Sequence, residues 1–210
     1  MPCDEDTCGP HACKVCYGSA VPTQVERRET TRAALLAAAR ELFTEKGFAG
    51  TGREEIAERA GVTRGALYHH FSSKQAAFAA VAHELEAELE ARLIDEAHRG
   101  GSPLEQLQRC SRAYLAACAD PSIVRILATE APAVLGTEAV RAMNDATCRE
   151  LLVPMLRRIG TVPGDVDVAA QLLLGMWNEA AEVIAAAPNP KATAKKIQPT
   201  LDAFLTRLLS

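Results

Sequence analysis

At 210 residues, with 48% hydrophobic and 24% charged residues, the chain has room for a small head and one larger core, and no more. No apolar run approaches the roughly 18 residues of a membrane span, and the N-terminus lacks a charged region followed by an apolar stretch; a cytoplasmic location without membrane association is expected. The net charge of −4 argues at first against a nucleic-acid partner, but residues 27–75 carry +3, residues 1–26 carry −3 and residues 76–210 carry −4. A basic head on an acidic body suits a protein that touches phosphates at one end only.

Residues 1–25 read as a Cys-rich, flexible extension. Cys3, Cys8, Cys13 and Cys16, with His11 nearby, supply enough thiolate and imidazole for one tetrahedral zinc. Only Cys13–Cys16 has ordinary knuckle spacing, so thiol-based redox sensing and a translation start near Val21 or Val25 stand as alternatives. The first helix is expected from about Glu26 to Lys46, with an apolar stripe of Leu35, Ala38, Ala39, Leu42 and Phe43. Gly47 should stop it, and Phe48 should tuck back.

Gly52 precedes a second helix, Arg53 to Ala60, whose Glu54 and Glu55 complement the helix dipole. Gly61 ends it, because a left-handed stop favours a residue without Cβ. Thr63 is a good N-cap for a third helix, Arg64 to His70. Ile56 with Ala60, and Leu67 with Phe71, are four apart and form a small core with Val62, which turns Thr63, Arg64, Gly65, Tyr68 and His69 outward. His70 can pack inward. Seven residues make a rod of roughly 10 Å, short enough for a major groove. This is a helix-turn-helix.

Ser73 caps a long helix to about Arg99, whose acidic middle reads as a solvated face. Ser102-Pro103-Leu104-Glu105 is a capping box with proline at the first helical position, opening a helix to about Ala119. Asp120-Pro121 opens another to about Thr129, and a break is expected across residues 131–136. Thr137 begins a helix to Ile159 that Pro154 should bend, followed by a loop from Thr161 to Gly164. Residues 165–187 are apolar nearly all round, and after Pro188-Asn189-Pro190 a last helix, Lys191 to Leu209, carries a stripe of Ile197, Leu201, Phe204, Leu205 and Leu208. An apolar pair ending the chain implies a four-helix bundle with a second copy through residues 165–209.

The run Ile-Ala-x-x-Ala-Gly-Val-Thr-x-Gly-Ala-Leu-Tyr-His-His-Phe-x-x-Lys resembles the DNA-binding head of the tetracycline-repressor (TetR/AcrR) type of bacterial regulators, over about residues 30–80. Arg53 stands where that family usually has an apolar residue, and Gly52 replaces the usual Ser or Thr cap. The resemblance implies an all-α fold: a three-helix DNA-binding head, residues 26–72, on a helical effector-binding and dimerisation body, residues 73–210. It also implies a homodimer on a pseudo-palindromic double-stranded operator and a small-molecule effector. Arg27, Arg28 and Arg32 would lie near the DNA backbone. The candidate DNA contacts are Arg53, Thr63, Arg64, Gly65, Ala66, Tyr68, His69 and Lys74. Hydroxyls of Thr63 and Tyr68 suit phosphate oxygens, Arg64 and His69 suit base edges, and Lys74 would bring an ammonium to a phosphate.

An effector pocket is likewise what the resemblance implies. Its candidate linings are Cys110, Tyr114 and Cys118, at four-residue steps, with Arg125, Met143, Trp177, Asn178 and Glu179. Glu179 stands out because a carboxylate in an apolar run needs a partner. No phosphate loop, nucleophile elbow or paired histidine spacing outside the tail points to catalysis or to a cofactor. The expected function is a DNA-binding transcriptional regulator, a ligand-responsive homodimeric repressor; the alternative is a thiol- or metal-sensing regulator using the N-terminal cysteines.

Overall fold

The computed structural model describes residues 23–209, so Cys3, Cys8, Cys13 and Cys16 lie outside the described residues. Ten α-helices and two π-helical stretches make up the described chain, which contains no strand. Helix α1 (Gln24–Gly50) begins with a capping box in which Thr23 Oγ1 accepts from the Glu26 N–H at 3.2 Å and Glu26 accepts from the Thr23 N–H at 2.7 Å. Gly47 does take a left-handed conformation, φ 74°, but helical geometry resumes as far as Gly50, three residues beyond the expected stop. The kink turns Phe48 inward, where its ring meets Phe78 edge-on at 5.4 Å.

Helices α2 (Arg53–Arg59) and α3 (Arg64–His70) are joined at Gly61, φ 66°, and Thr63 caps α3 as expected. Gly52 gives α2 no side-chain cap. Ile56, Leu67 and Phe71 are buried against Leu35, Leu42 and Phe43 of α1, which fixes the two short helices as one unit. Helix α4 (Lys74–His98) serves two cores. Phe78, Val81 and Leu85 close the head core, and Leu93 and Ala97 belong to the body core.

The Ser102–Glu105 capping box starts α5 (Pro103–Ala117). A π-helical stretch, Ile123–Glu130, then runs directly into α6 (Ala131–Leu135), so the expected break narrows to Gly136, φ 92°. Pro132 sits in the first turn of α6. Helix α7 (Thr137–Thr147), a second π-helical stretch (Cys148–Leu152) and α8 (Val153–Ile159) occupy the segment expected to bend at Pro154. Proline lacks the N–H that closes an ordinary turn, and the ladder widens just ahead of it. Helices α9 (Val166–Ala185), capped by Asp165, and α10 (Pro190–Leu209) complete the chain. Trp177, Ile184, Leu201 and Leu205 join Leu107, Leu115, Leu152 and Leu156 in the body core. No helix among the described residues is long and apolar enough to cross a membrane.

Candidate nucleic-acid interface and internal cavity

Leu67 and Phe71 hold α3 in the head by its inner side, leaving Thr63, Arg64, Gly65, Tyr68 and His69 exposed and Ala66 half-buried. Thr63 Oγ1 accepts from the Ala66 N–H at 3.2 Å, so its hydroxyl proton remains available to an external acceptor. Tyr68 is 49% exposed and donates its hydroxyl to Glu54 at 3.2 Å. That carboxyl lies below the usual carboxylate range because of its backbone hydrogen bond at the start of α2, then Tyr68, Arg64 and Arg53. His70 is half-buried, and burial followed by the charges of His69, Arg28 and Arg32 lowers its pKa.

Two expected DNA contacts turn inward instead. Arg53 donates to the Phe71 carbonyl at 2.9 Å and lays its guanidinium 4.1 Å from the Tyr68 ring centre. It joins the start of α2 to the end of α3, and in doing so fills the place of an apolar residue. Lys74 donates to the Phe48 and Thr51 carbonyls at 2.7 and 2.9 Å, over the Phe48 ring. Its ammonium ties α4 to the end of α1 and is committed to carbonyl oxygens. The two accepting carbonyls lie at and just beyond the end of α1, within reach of the first residue of α4.

The body holds a partly open cavity of about 220 Å³ between α4, α5, the Ile123–Glu130 stretch, α7 and α9. Tyr114, Cys118, Met143 and Asn178 line it; the other expected linings do not. Cys110 is buried and donates its thiol to the Leu93 carbonyl at 3.3 Å. Trp177 is fully buried behind Tyr114, with ring centres 5.1 Å apart. Glu179 is exposed, on the side of α9 that also carries Leu172 and Val183. Arg125 lies on the far side of its segment. Burial pushes the Cys110 thiol up to about 11 and the Cys118 thiol to about 12, so both stay protonated and weakly nucleophilic. Burial also raises the Tyr114 phenol, which donates to Asn178 at 2.9 Å.

Sequence reasoning missed Glu86, Glu90 and Glu182, all of which border the cavity. Glu86 is raised to about 7, first by burial and then by the like charge of Glu90. It also missed the segment 122–135 as a shared wall. Ile123, Val124 and Leu127 face the cavity, while Glu130 accepts from the Phe48 N–H of α1 at 2.6 Å. Arg125 Nε lies 3.5 Å from the Glu130 carboxylate, and Arg125 donates to the Glu45 carbonyl at 3.4 Å. A Cβ at Gly47 would run into both side chains.

Comparison with known proteins agrees with this layout. The family model described as bacterial regulatory proteins, tetR family, matches residues 35–81, and the model of the tetracyclin repressor-like C-terminal domain matches residues 104–208. A TetR-family transcriptional regulator from Pectobacterium atrosepticum is 34% identical, covers 90% of this chain and 98% of its own, and superposes with a TM-score of 0.76. The chain belongs to the TetR family. A transcriptional regulator from Rhodococcus is similar too, at 30% identity, with 85% of this chain and 95% of that one covered and a TM-score of 0.66. FasR, an HTH-type transcriptional activator of Mycolicibacterium smegmatis, is 48% identical over 54 residues, 26% of this chain and 25% of FasR. TtgR, an HTH-type transcriptional regulator of Pseudomonas putida, is 41% identical over 73 residues, 35% of this chain and 29% of TtgR. These two matches therefore span little more than a quarter of the relatives' length. As a TetR-family protein the chain is a DNA-binding transcriptional regulator, and the family is one of regulators rather than enzymes.

Proposed function

We propose that this TetR-family regulator is a homodimeric repressor that reads a pseudo-palindromic operator with α3 and is released from it by a small molecule held in the body cavity. The observation that carries the reading is the outer side of α3. A short helix anchored by Leu67 and Phe71 presents Thr63, Arg64, Gly65, Tyr68 and His69 together, with Ala66 at their margin. Thr63 and Tyr68 are the phosphate contacts and Arg64 and His69 the base contacts. Arg53 supports Tyr68 from behind, and Lys74 positions α4.

An apolar side supports the homodimer. Val168, Leu172 and Val183 of α9 and Phe204 and Leu208 of α10 are exposed, Leu172 at 71% and Phe204 at 58%. Such an expanse on the last two helices is what a self-complementary two-fold contact covers. Two heads so joined would sit about one helical turn apart, roughly 34–36 Å.

Selection of bound fragments from sheared source DNA, followed by footprinting, tests the reading. The expected product is a protected inverted repeat with half-sites about one turn apart. Protection of a single asymmetric half-site would count against the dimer, and unselective retention of all fragments against sequence reading by α3.

A further inference from the structure

The body cavity has one sign of charge. Of the described side chains that line it, the charged ones are Glu86 and Glu90 from α4 and Glu182 from α9; no Lys, Arg or His among the described residues lines it. Most of the remaining wall is apolar, including Leu89, Leu93, Leu127 and Leu174. Glu86 and Glu90 are half-buried and four residues apart, so they share one side of α4 and repel each other. His83 lies 4.0 Å from Glu86, but it is largely exposed and stands outside the lining. An anionic ligand would face three carboxylates without a counter-charge, and a neutral one would bury them further with nothing to offset them. The opposite arrangement occurs in a second hollow of about 560 Å³, where Arg92, Arg112, Lys191 and Lys195 gather beside Asp120. Acid is thus concentrated at the first cavity and base at the second, rather than spread evenly over the body.

We propose that the first cavity selects an apolar organic cation, an amine or quaternary ammonium group on a hydrocarbon frame, with Glu86 and Glu90 as its counter-charges. This rests on reading the cavity as the effector site. The apolar wall takes the hydrocarbon, and the paired carboxylates take the charge, which loses most of its water on entry. Occupation brings the cation between α4 and the Ile123–Glu130 stretch, the two elements that also hold the head.

Trp177 is the single tryptophan of the chain and stacks on Tyr114, a lining residue, so its fluorescence reports occupation without DNA. Full-length protein is titrated at pH 8 with benzyltrimethylammonium, with its neutral carbon isostere neopentylbenzene, and with the anion 3-phenylpropionate. The cation should bind about tenfold more tightly than the isostere. Glu86→Gln should remove most of that preference while leaving the isostere's affinity within about twofold. Glu90→Gln should do so in part, and Glu84→Gln, on the exposed side of α4, should change nothing. Equal or tighter binding of the isostere or of the anion, or a preference that survives both cavity substitutions, would overturn the cation assignment and leave the effector cavity standing. Silence of Trp177 towards all three probes would overturn the cavity reading and the assignment together.

Discussion

Gly65 is exposed, lies in the first turn of α3, and a Cβ there would meet only Thr63 Oγ1 at an ordinary 3.8 Å. Nothing inside the protein requires glycine at this position, yet glycine in a helix costs about 0.5–1 kcal/mol relative to alanine. Close approach of DNA to the helix backbone, as in the proposed interface, would supply a reason for glycine there. Gly65→Ala is expected to raise thermal stability slightly and to weaken operator binding; a variant more stable and equally tight would remove Gly65 from the interface. Glu86 makes a second residue-scale prediction, with a definite sign. Its folded pKa of about 7 lies above the ordinary 4.5, so between those values the folded state holds a proton that the unfolded chain releases. Its contribution is complete below pH 4.5 and is lost as pH rises through 7. Glu90 and Glu182 face it with like charge, and His83 is the nearby group that would oppose them. With 26% of the side chain exposed, Glu86→Gln should stabilise the protein at pH 8 by on the order of 2 kcal/mol, and by nothing near pH 4, in paired denaturant titrations.

At the scale of elements, the Ile123–Glu130 stretch touches the cavity and the head at once. Glu130 and Arg125 close over Gly47, and Arg40 of α1 reaches Ser122 at 3.4 Å, so this wall is tied directly to α1. Removing the Glu130 carboxylate leaves the Phe48 N–H without its acceptor and Arg125 without its ion-pair partner. Glu130→Ala should cost about 1–3 kcal/mol of stability, and benzyltrimethylammonium should still change Trp177 fluorescence while no longer changing DNA affinity. A ligand response equal to that of the unaltered protein would place the coupling elsewhere. The head was legible in the sequence because its determinants are local: Gly61 at its left-handed turn, Thr63 at its cap, and Leu67 and Phe71 one helical turn apart. Long side chains and the body were less so. Arg53 and Lys74 are long side chains whose partners lie 18 to 26 residues away, and spacing along one helix does not choose between inward and outward. The same limit hid Glu86 among the acids of α4. It also left undecided that Glu179 lies on the outer side of α9, with Leu172 and Val183, and not in the cavity. The π-helical stretches carry no periodic signature; they arise where tertiary packing, or Pro154, interrupts the ordinary ladder.

For the whole molecule, the proposed function requires the apolar sides of α9 and α10 and the outer side of α3 to act together. A single head offers few contacts, whereas two joined heads bind adjacent half-sites in one event. Leu172→Glu combined with Phe204→Glu places charge in the exposed apolar expanse and should yield monomers by sedimentation, with helical content retained and operator affinity reduced by at least about 100-fold. Persistence of the dimer in that variant would move the interface away from α9 and α10. The net charge of −4 has a consequence at this scale as well. The acidic body is repelled by DNA, so association depends on the +3 head being presented first and should weaken steeply with salt.

The most direct test is equilibrium binding of the purified protein to its own upstream intergenic DNA and to a scrambled duplex of the same composition, across a salt series, with Arg64→Ala alongside. A salt-steep isotherm selective for the upstream DNA is predicted, with two protomers per site. Arg64→Ala should lose about 1–3 kcal/mol on that DNA and much less on the scrambled duplex. Equal affinity for both duplexes at every salt concentration, unchanged in Arg64→Ala, would contradict sequence reading by α3.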